Sequence, residues 1–340
     1  MRIAQISPLY ESVPPRGYGG TERVVSWLTE ALVAAGHELT LFASGDSETS
    51  ARLVPCAPRA LRLDPAAHDP IASHLLMLEQ AFQRADEFDV IHAHVDYLSF
   101  PFARRAHVPV LTTLHGRLDL PVLKPIVCEY REQRLISISD DQRRPLPRAR
   151  WEGTIYHGMP PDLLEFHPEA NDYLAFLGRI SPEKRVDRAI EIAIRAGRRL
   201  RIAAKVDAAD RAYYESEIRH LLGHPLIEFV GEVGDADKNE FLGQAAAVLF
   251  PIDWPEPFGL IMIESLACGT PVIAWPQGSV PEVLEDGVSG YLCSDIDSAV
   301  RAVEELEKLD RKRCREVFES RFTAERMAQD YLAVYRRMLA

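Results

Sequence analysis

Short apolar runs of four to six residues alternate with stretches of helical periodicity along almost the whole chain. That alternation restricts the fold more than any other property of the sequence. Ile3 to Ile6, Leu39 to Ala43, Val90 to Ala93 and Val108 to Thr113 read as buried strands, and Thr21 to about Ala35 as a helix. Strands that are apolar throughout and separated by helices build a parallel sheet covered on both faces. A second series follows: Tyr173 to Gly178, Leu200 to Ala204, Ile227 to Val230, Val248 to Pro251 and Pro271 to Ala274. Between the two series, His157 to Asn171 is rich in proline and acidic residues, lacks periodicity and reads as a hinge. The expected organisation is therefore α/β, with a Rossmann-like domain over 1–158, a second over 159–323, and an interdomain cleft as the ligand site. A final helix, about 324–340, carries Met327, Tyr331, Val334, Tyr335 and Met338 at helical spacing and is expected to pack back on the first domain.

A length of 340 residues suits two such domains, at roughly 150 residues each. A formal net charge of −12 argues against a nucleic-acid binder, which needs a basic face, and against attachment to an anionic membrane by charge alone. Peripheral membrane contact and oligomeric state stay open. Five cysteines lie far apart with no CxxC pair, which suits a reduced cytoplasmic chain rather than a disulfide framework. Met1 to Ser7 lacks the length of a signal peptide's apolar region, and no run approaches a membrane span.

Chemistry concentrates in Glu256-Pro-Phe-Gly-Leu-Ile-Met-Ile-Glu264. Pro255 and Pro257 hold the first glutamate in extended or turn backbone, while Gly259 through Cys268 reads as an apolar helix ending at Gly269. The amides of Phe258, Gly259 and Leu260 lie at that helix start without helical acceptors, so the segment offers an anion site with a carboxylate on either side. Glu264 emerges from apolar surroundings and needs partners, for which two ribose hydroxyls or a structural salt bridge both serve. In Leu177-Gly-Arg-Ile-Ser-Pro-Glu-Lys184 a strand is expected to end at Gly178, and a helix to begin with Ser181 as N-cap and Pro182 after it. Arg179 and Lys184 then lie beside the positive end of a helix dipole, which calls for an anion unless they are solvated or paired with Glu183 and Asp187.

Two features remain in the first half. Gly17-Tyr-Gly-Gly-Thr-Glu22 opens a helix after a long loop, permitting close backbone approach at Gly19 and Gly20 or serving as a turn capped by Thr21. It is not the GxGxxG fingerprint, which disfavours a nicotinamide enzyme. His92, His94 and Asp96 share one face if the strand runs that far, like part of a metallohydrolase site, yet no further ligand cluster presents itself. His115, beside Gly116 at a strand terminus, is placed to donate to a sugar or phosphate or to be satisfied internally.

Glu256 and Glu264, Cys268-Gly-Thr-Pro-Val-Ile-Ala274 and Gly278 to Gly287, in that order and spacing, resemble the retaining glycosyltransferases of family 4. The resemblance implies the GT-B fold of two facing Rossmann-like domains and transfer of a hexose from a UDP- or GDP-sugar, UDP-glucose being the commonest donor in the family. The acceptor is unidentified: a sugar, a lipid or a small metabolite. It implies that Arg179 and Lys184 neutralise the departing diphosphate, Glu256 holds donor-sugar hydroxyls, and Phe258, Gly259 and Leu260 offer amides. Glu264 binds the ribose, Gly19 and Gly20 approach the diphosphate, and His115 contacts the sugar near the reacting carbon. Gly231, Glu232 and Val233 are placed at the nucleobase. Arg185 departs from the family, which has glycine after the lysine. Neither a cofactor nor a metal is expected, because the protein's cations meet the leaving group's charge. Rival readings are a non-catalytic sugar-nucleotide binder, a sugar-nucleotide epimerase of the same fold, and the metallohydrolase.

Overall fold

Every strand ladder among the described residues is parallel, as alternation with helices demands. The computed structural model describes all residues except Tyr18. Its backbone divides into two compact units, Met1–Pro160 with Thr323–Ala340, and Pro161–Phe322.

The first unit holds β1 (Arg2–Ile6), β2 (Glu38–Ser44), β3 (Arg52–Ala57), β4 (Val90–Ala93), β5 (Val110–Thr113), β6 (Arg134–Ser137) and β7 (Arg150–Thr154). Their order is β3-β2-β1-β4-β5-β6-β7, so the winding reverses between β1 and β4. Ile6, Phe42 and Ile91 on this sheet pack with Met77 and Leu78 of the helix Pro70–Gln83. The helix Gly20–Ala34 follows β1, one residue earlier than expected, with Gly19 rather than Thr21 at its N-cap. The helix Ala324–Leu339 belongs to this unit, where Tyr331 and Tyr335 are among its largest fully buried side chains. Thr323 caps it, accepting from the Arg326 amide at 3.2 Å.

The second unit holds β8 (Tyr173–Arg179), β9 (Arg199–Lys205), β10 (Ile227–Gly231), β11 (Ala247–Phe250), β12 (Val272–Ala274) and β13 (Gly290–Leu292). Their order is β10-β9-β8-β11-β12-β13, with the reversal between β8 and β11. Phe176, Ile190, Ile202, Leu249 and Ile273 form its core. Sheets of this kind bind ligands beyond the carboxyl ends of the two strands where the order reverses.

One expected element moved. The helix placed at Ser181 begins at Val186, and Ser181 to Arg185 form a turn. Arg185 stands as its N-cap at φ 53, a left-handed conformation that a helix starting at Pro182 has no room for. Arg179 and Lys184 therefore do not sit on the helix dipole. Among the described residues no helix is long and apolar enough to cross a membrane.

Candidate active site

In the second unit, β8 delivers Arg179 as its last residue, and the turn after it carries Lys184. The segment after the neighbouring β11 carries Glu256 and then Gly259, the N-cap of the helix Leu260–Ala267. Gly259 has φ 77, which favours glycine, and a Cβ there would lie 2.9 Å from Met262 Cε. The first helical turn is closed by the Met262 amide on the Gly259 carbonyl at 3.0 Å. The amides of Gly259, Leu260 and Ile261 accordingly have no acceptor within the helix. Phe258, just before them, is buried with its ring edge-on to Phe322.

The two carboxylates are each matched by a lysine. Lys184 Nζ donates to Glu256, and both side chains are largely buried. The ammonium also lies 5.1 Å from the Trp254 ring and 5.4 Å from the Phe250 ring, while Trp254 Nε1 donates to Glu256 at 3.0 Å. Lys238 Nζ donates to Glu264 at 2.8 Å, with Asp235 at 3.4 Å. Arg179 faces three carboxylates, Glu183 at 2.5 Å, Asp210 at 3.5 Å and Asp207 at 3.8 Å, which draw it toward the end of β9. Trp254, Lys238, Asp207 and Asp210 are invisible to motif reading because their importance arises only when β8, β9 and β11 are laid side by side. Gly231 ends β10 at φ 80 beside a register shift, with Glu232 and Val233 following.

Gly278 and Ser279 fix the first carboxylate. Ser279 N–H donates to the Glu256 carbonyl at 2.9 Å, and Ser279 Oγ to the Phe258 carbonyl at 2.9 Å. Gly278 has φ 61, and a Cβ there would run into the Glu256 backbone. Only glycine lets this turn close on Glu256. Sequence reading noticed the glycine without its task.

The first unit has its own cluster at the β1 and β4 ends. His94 Nε2 contacts Gln5 Oε1 at 2.7 Å and its Nδ1 contacts His115 Nε2 at 2.9 Å. His115 stacks on His157 at 5.2 Å between centroids and leaves Nδ1 without a hydrogen-bond partner. With the Gln5 oxygen accepting, His94 carries its proton on Nε2, so its Nδ1 accepts from His115 Nε2 and His115 Nδ1 is a lone pair. Burial drives His92, His94 and His157 well below the usual histidine range and His115 to about 3, so all four are neutral at pH 7.

The metallohydrolase geometry does not form. β4 stops at Ala93, and Asp96 lies beyond it in left-handed backbone at φ 49, off the strand face that His92 would share with it. His92 is held by Thr113 Oγ1 at 2.8 Å and Tyr335 OH at 2.7 Å. Among the described residues no group of three His, Cys, Asp or Glu side chains is arranged so that it could hold a metal ion. Gly19 lies against the Pro15 side chain, where a Cβ would approach to 2.8 Å, and Gly20 opens the following helix.

The family model for glycosyl transferases group 1 matches residues 165–320, and that for a glycosyl transferase 4-like domain matches residues 19–165. A phosphatidyl-myo-inositol mannosyltransferase of Mycobacterium leprae is 27% identical over 334 residues, 89% of this chain and 86% of that protein. A glycogen synthase of Mycobacterium tuberculosis is 26% identical over 399 aligned positions, covering 99% of this chain and 95% of that one. Among solved structures, a sucrose-phosphate synthase from Thermosynechococcus elongatus superposes with a TM-score of 0.79 at 20% identity, over 99% of both chains. Two Rossmann-like units of GT-B type and family matches spanning both of them establish that the chain belongs to the group 1 glycosyltransferases.

Proposed function

We propose that the protein is a retaining, metal-independent hexosyltransferase that takes its sugar from a UDP- or GDP-sugar. The observation that carries this reading is the pairing of Lys184 with Glu256 beside the open amides of Gly259 and Leu260, where β8 and β11 part. Lysine has three N–H donors. One is spent on Glu256, which leaves two for diphosphate oxygens while the carboxylate's remaining lone pairs accept from sugar hydroxyls. Glu264, held by Lys238, accepts from the ribose hydroxyls one helical turn further along, at about 1.5 Å per residue. Gly231, Glu232 and Val233 bound the nucleobase.

Breaking the glycosyl–phosphate bond leaves an oxocarbenium-like sugar and adds negative charge to the diphosphate. Lys184, Arg179 and the helix-start amides meet that charge as it develops, which is where preorganised donors lower a barrier. Arg179 exchanges a carboxylate partner for phosphate in this step. The acceptor hydroxyl attacks from the face the diphosphate leaves, so configuration is retained, and Glu256 positions the sugar rather than bonding to it. His115 contacts the sugar near the reacting carbon, and Gly19 and Gly20 allow the diphosphate close backbone approach.

Radiolabelled UDP- and GDP-sugars test the reading. Slow release of free sugar and nucleotide, undiminished by chelator, is expected. An isomeric nucleotide sugar as the product points to an epimerase, and binding without turnover to a regulatory protein. A nucleotide panel read by thermal shift identifies the base, since ligand at 100 times its Kd stabilises by about 2.7 kcal/mol.

A further inference from the structure

The first unit contains a cavity of about 240 Å³ whose walls belong to that unit alone. Its floor is apolar and buried: Phe100, Leu114, Leu118, Leu123, Val127 and Leu146. Its exposed rim carries Asp96, Tyr97, Arg117 and Leu120, the last 40% exposed. Protein interiors close voids of this size, and an apolar cavity of about 150 Å³ already admits benzene. Leu118 lies within the loop after β5 and Leu123 opens the helix that follows, and Gln142 pins the start of that loop. Gln142 Nε2 donates to the carbonyls of Leu114 at 2.9 Å and Gly116 at 2.7 Å, and its Oε1 accepts from the Ile138 amide at 2.9 Å.

Those two carbonyls flank His115. The residues on either side of the histidine, Leu114 and Gly116, line the cavity, and the His115 amide lies against the Asp96 carboxylate on its rim. Apolar floor and polar histidine therefore adjoin within one residue's reach. Arg117 is held by Asp119 at 2.6 Å, so the rim offers no uncompensated cation for a phosphate or carboxylate on the ligand.

We infer that this cavity receives the apolar part of the acceptor, so that the acceptor is an amphipathic alcohol: an alkyl or aryl group in the pocket and a hydroxyl-bearing head at His115. The inference rests on the glycosyltransferase reading for the hydroxyl's fate, but the apolar recognition is independent of it. Neither a free sugar nor a charged metabolite makes use of six buried apolar walls. A cavity of this volume takes one ring or a short alkyl segment, each buried methylene contributing about fourfold to affinity.

Calorimetry below micellar concentrations, with methyl, octyl and phenyl β-glucosides and without donor, tests the pocket. The octyl or the phenyl compound is expected to bind at least tenfold more tightly than the methyl one. Preference for octyl identifies an aliphatic, lipid-like source, and preference for phenyl an aromatic metabolite. Val127→Phe, which fills the cavity, is expected to bring the ratio close to one, and Leu120→Asp on the exposed rim to lower it several-fold without burden on the fold. Equal binding of all three glucosides by the wild type overturns the inference, as does a ratio unchanged in both variants when thermal melts show them folded. Failure of the transferase reading has a separate signature: no nucleotide sugar stabilises the protein or is turned over, whatever the glucosides do.

Discussion

The places where strand order reverses in the two sheets are the same topological device stocked with opposite chemistry. Beyond β8 and β11 stand Arg179, Lys184 and Glu256, all charged and held in ion pairs. At and beyond β1, β4 and β5 stand Gln5, His94 and His115, neutral and linked in a chain of hydrogen bonds. Topology supplies a position for a ligand, and residue chemistry selects what occupies it. A diphosphate calls for the first set, because cations already paired are held in place before the phosphate arrives. Hydroxyls call for the second, since an uncharged imidazole exchanges hydrogen bonds with water or sugar without a desolvation cost for a charge.

The comparison breaks most visibly if the charged set is dispensable. Glu256→Ala and Lys184→Ala are each expected to lower kcat by about 10²–10³, the usual loss on removing one preorganised donor or holder. Removing one partner of a largely buried pair strands the other, so both variants are expected to melt lower, Lys184→Ala less so because Trp254 Nε1 still donates to Glu256, and turnover is compared at a temperature where melts show each variant folded. Full turnover in either variant would falsify the assignment of this pair to the donor. Gly278→Ala acts on the same carboxylate through the backbone. A Cβ at φ 61 facing the Glu256 main chain is expected to cost about 2–3 kcal/mol in unfolding free energy and to lower turnover with it, measured by denaturant melts and donor hydrolysis. A melt within 0.5 kcal/mol of wild type sinks the claim that this turn sets Glu256.

The neutral set makes a prediction about pH. His92, His94 and His157 are buried with pKa values well below their unfolded value near 6.5, so between those limits the unfolded chain binds more protons than the folded one. Stability therefore rises with pH up to about 6.5 and falls below it, by up to about 1.4 kcal/mol per pH unit for each such histidine. Facing groups do not offset this: His92 meets Thr113 and Tyr335, His94 meets Gln5 and His115, and the cationic Arg326 depresses His157 further. Urea melts at pH 7.5, 6 and 5 should show the loss, and His94→Gln should reduce its slope. A slope unchanged by that variant means His94 carries a proton in the fold. Above pH 7 these groups add nothing to the pH dependence of turnover.

Both sheets were legible because their central strands are apolar throughout. Strands β3, β6, β7 and β13 went unread. β3 and β7 are edge strands bearing Arg52, Pro55, Arg150 and Glu152, with only partial burial, β6 has just Leu135 and Ile136 between Arg134 and Ser137, and β13 is an edge strand of Gly290, Tyr291 and Leu292 with the last two only partly buried. Local cap chemistry favours a helix start at Pro182, whereas the observed turn is set by contacts 72 residues away, between Lys184 and Glu256. Lys238 and Gln142 were unreadable for the same reason: each satisfies a partner brought close only by the fold.

Arg185 sharpens the comparison at its smallest scale. The resemblance places glycine after the lysine, and the structure shows why: the position sits at φ 53, where a side chain costs about 1 kcal/mol or more. This chain keeps arginine, and the guanidinium is held by Asp187 at 2.7 Å and Asp253 at 2.8 Å, both partly exposed pairs worth a few tenths to 1 kcal/mol each. Strain and pairing nearly cancel, while glycine adds unfolded-state entropy. Arg185→Gly is therefore expected to change unfolding free energy by less than about 1 kcal/mol. Its larger effect should fall on the donor site, because the neighbouring Lys184 loses a stiff anchor: KM for the nucleotide sugar should rise a few-fold with kcat nearly constant. A drop in kcat as large as that of Lys184→Ala instead places Arg185 itself on the diphosphate.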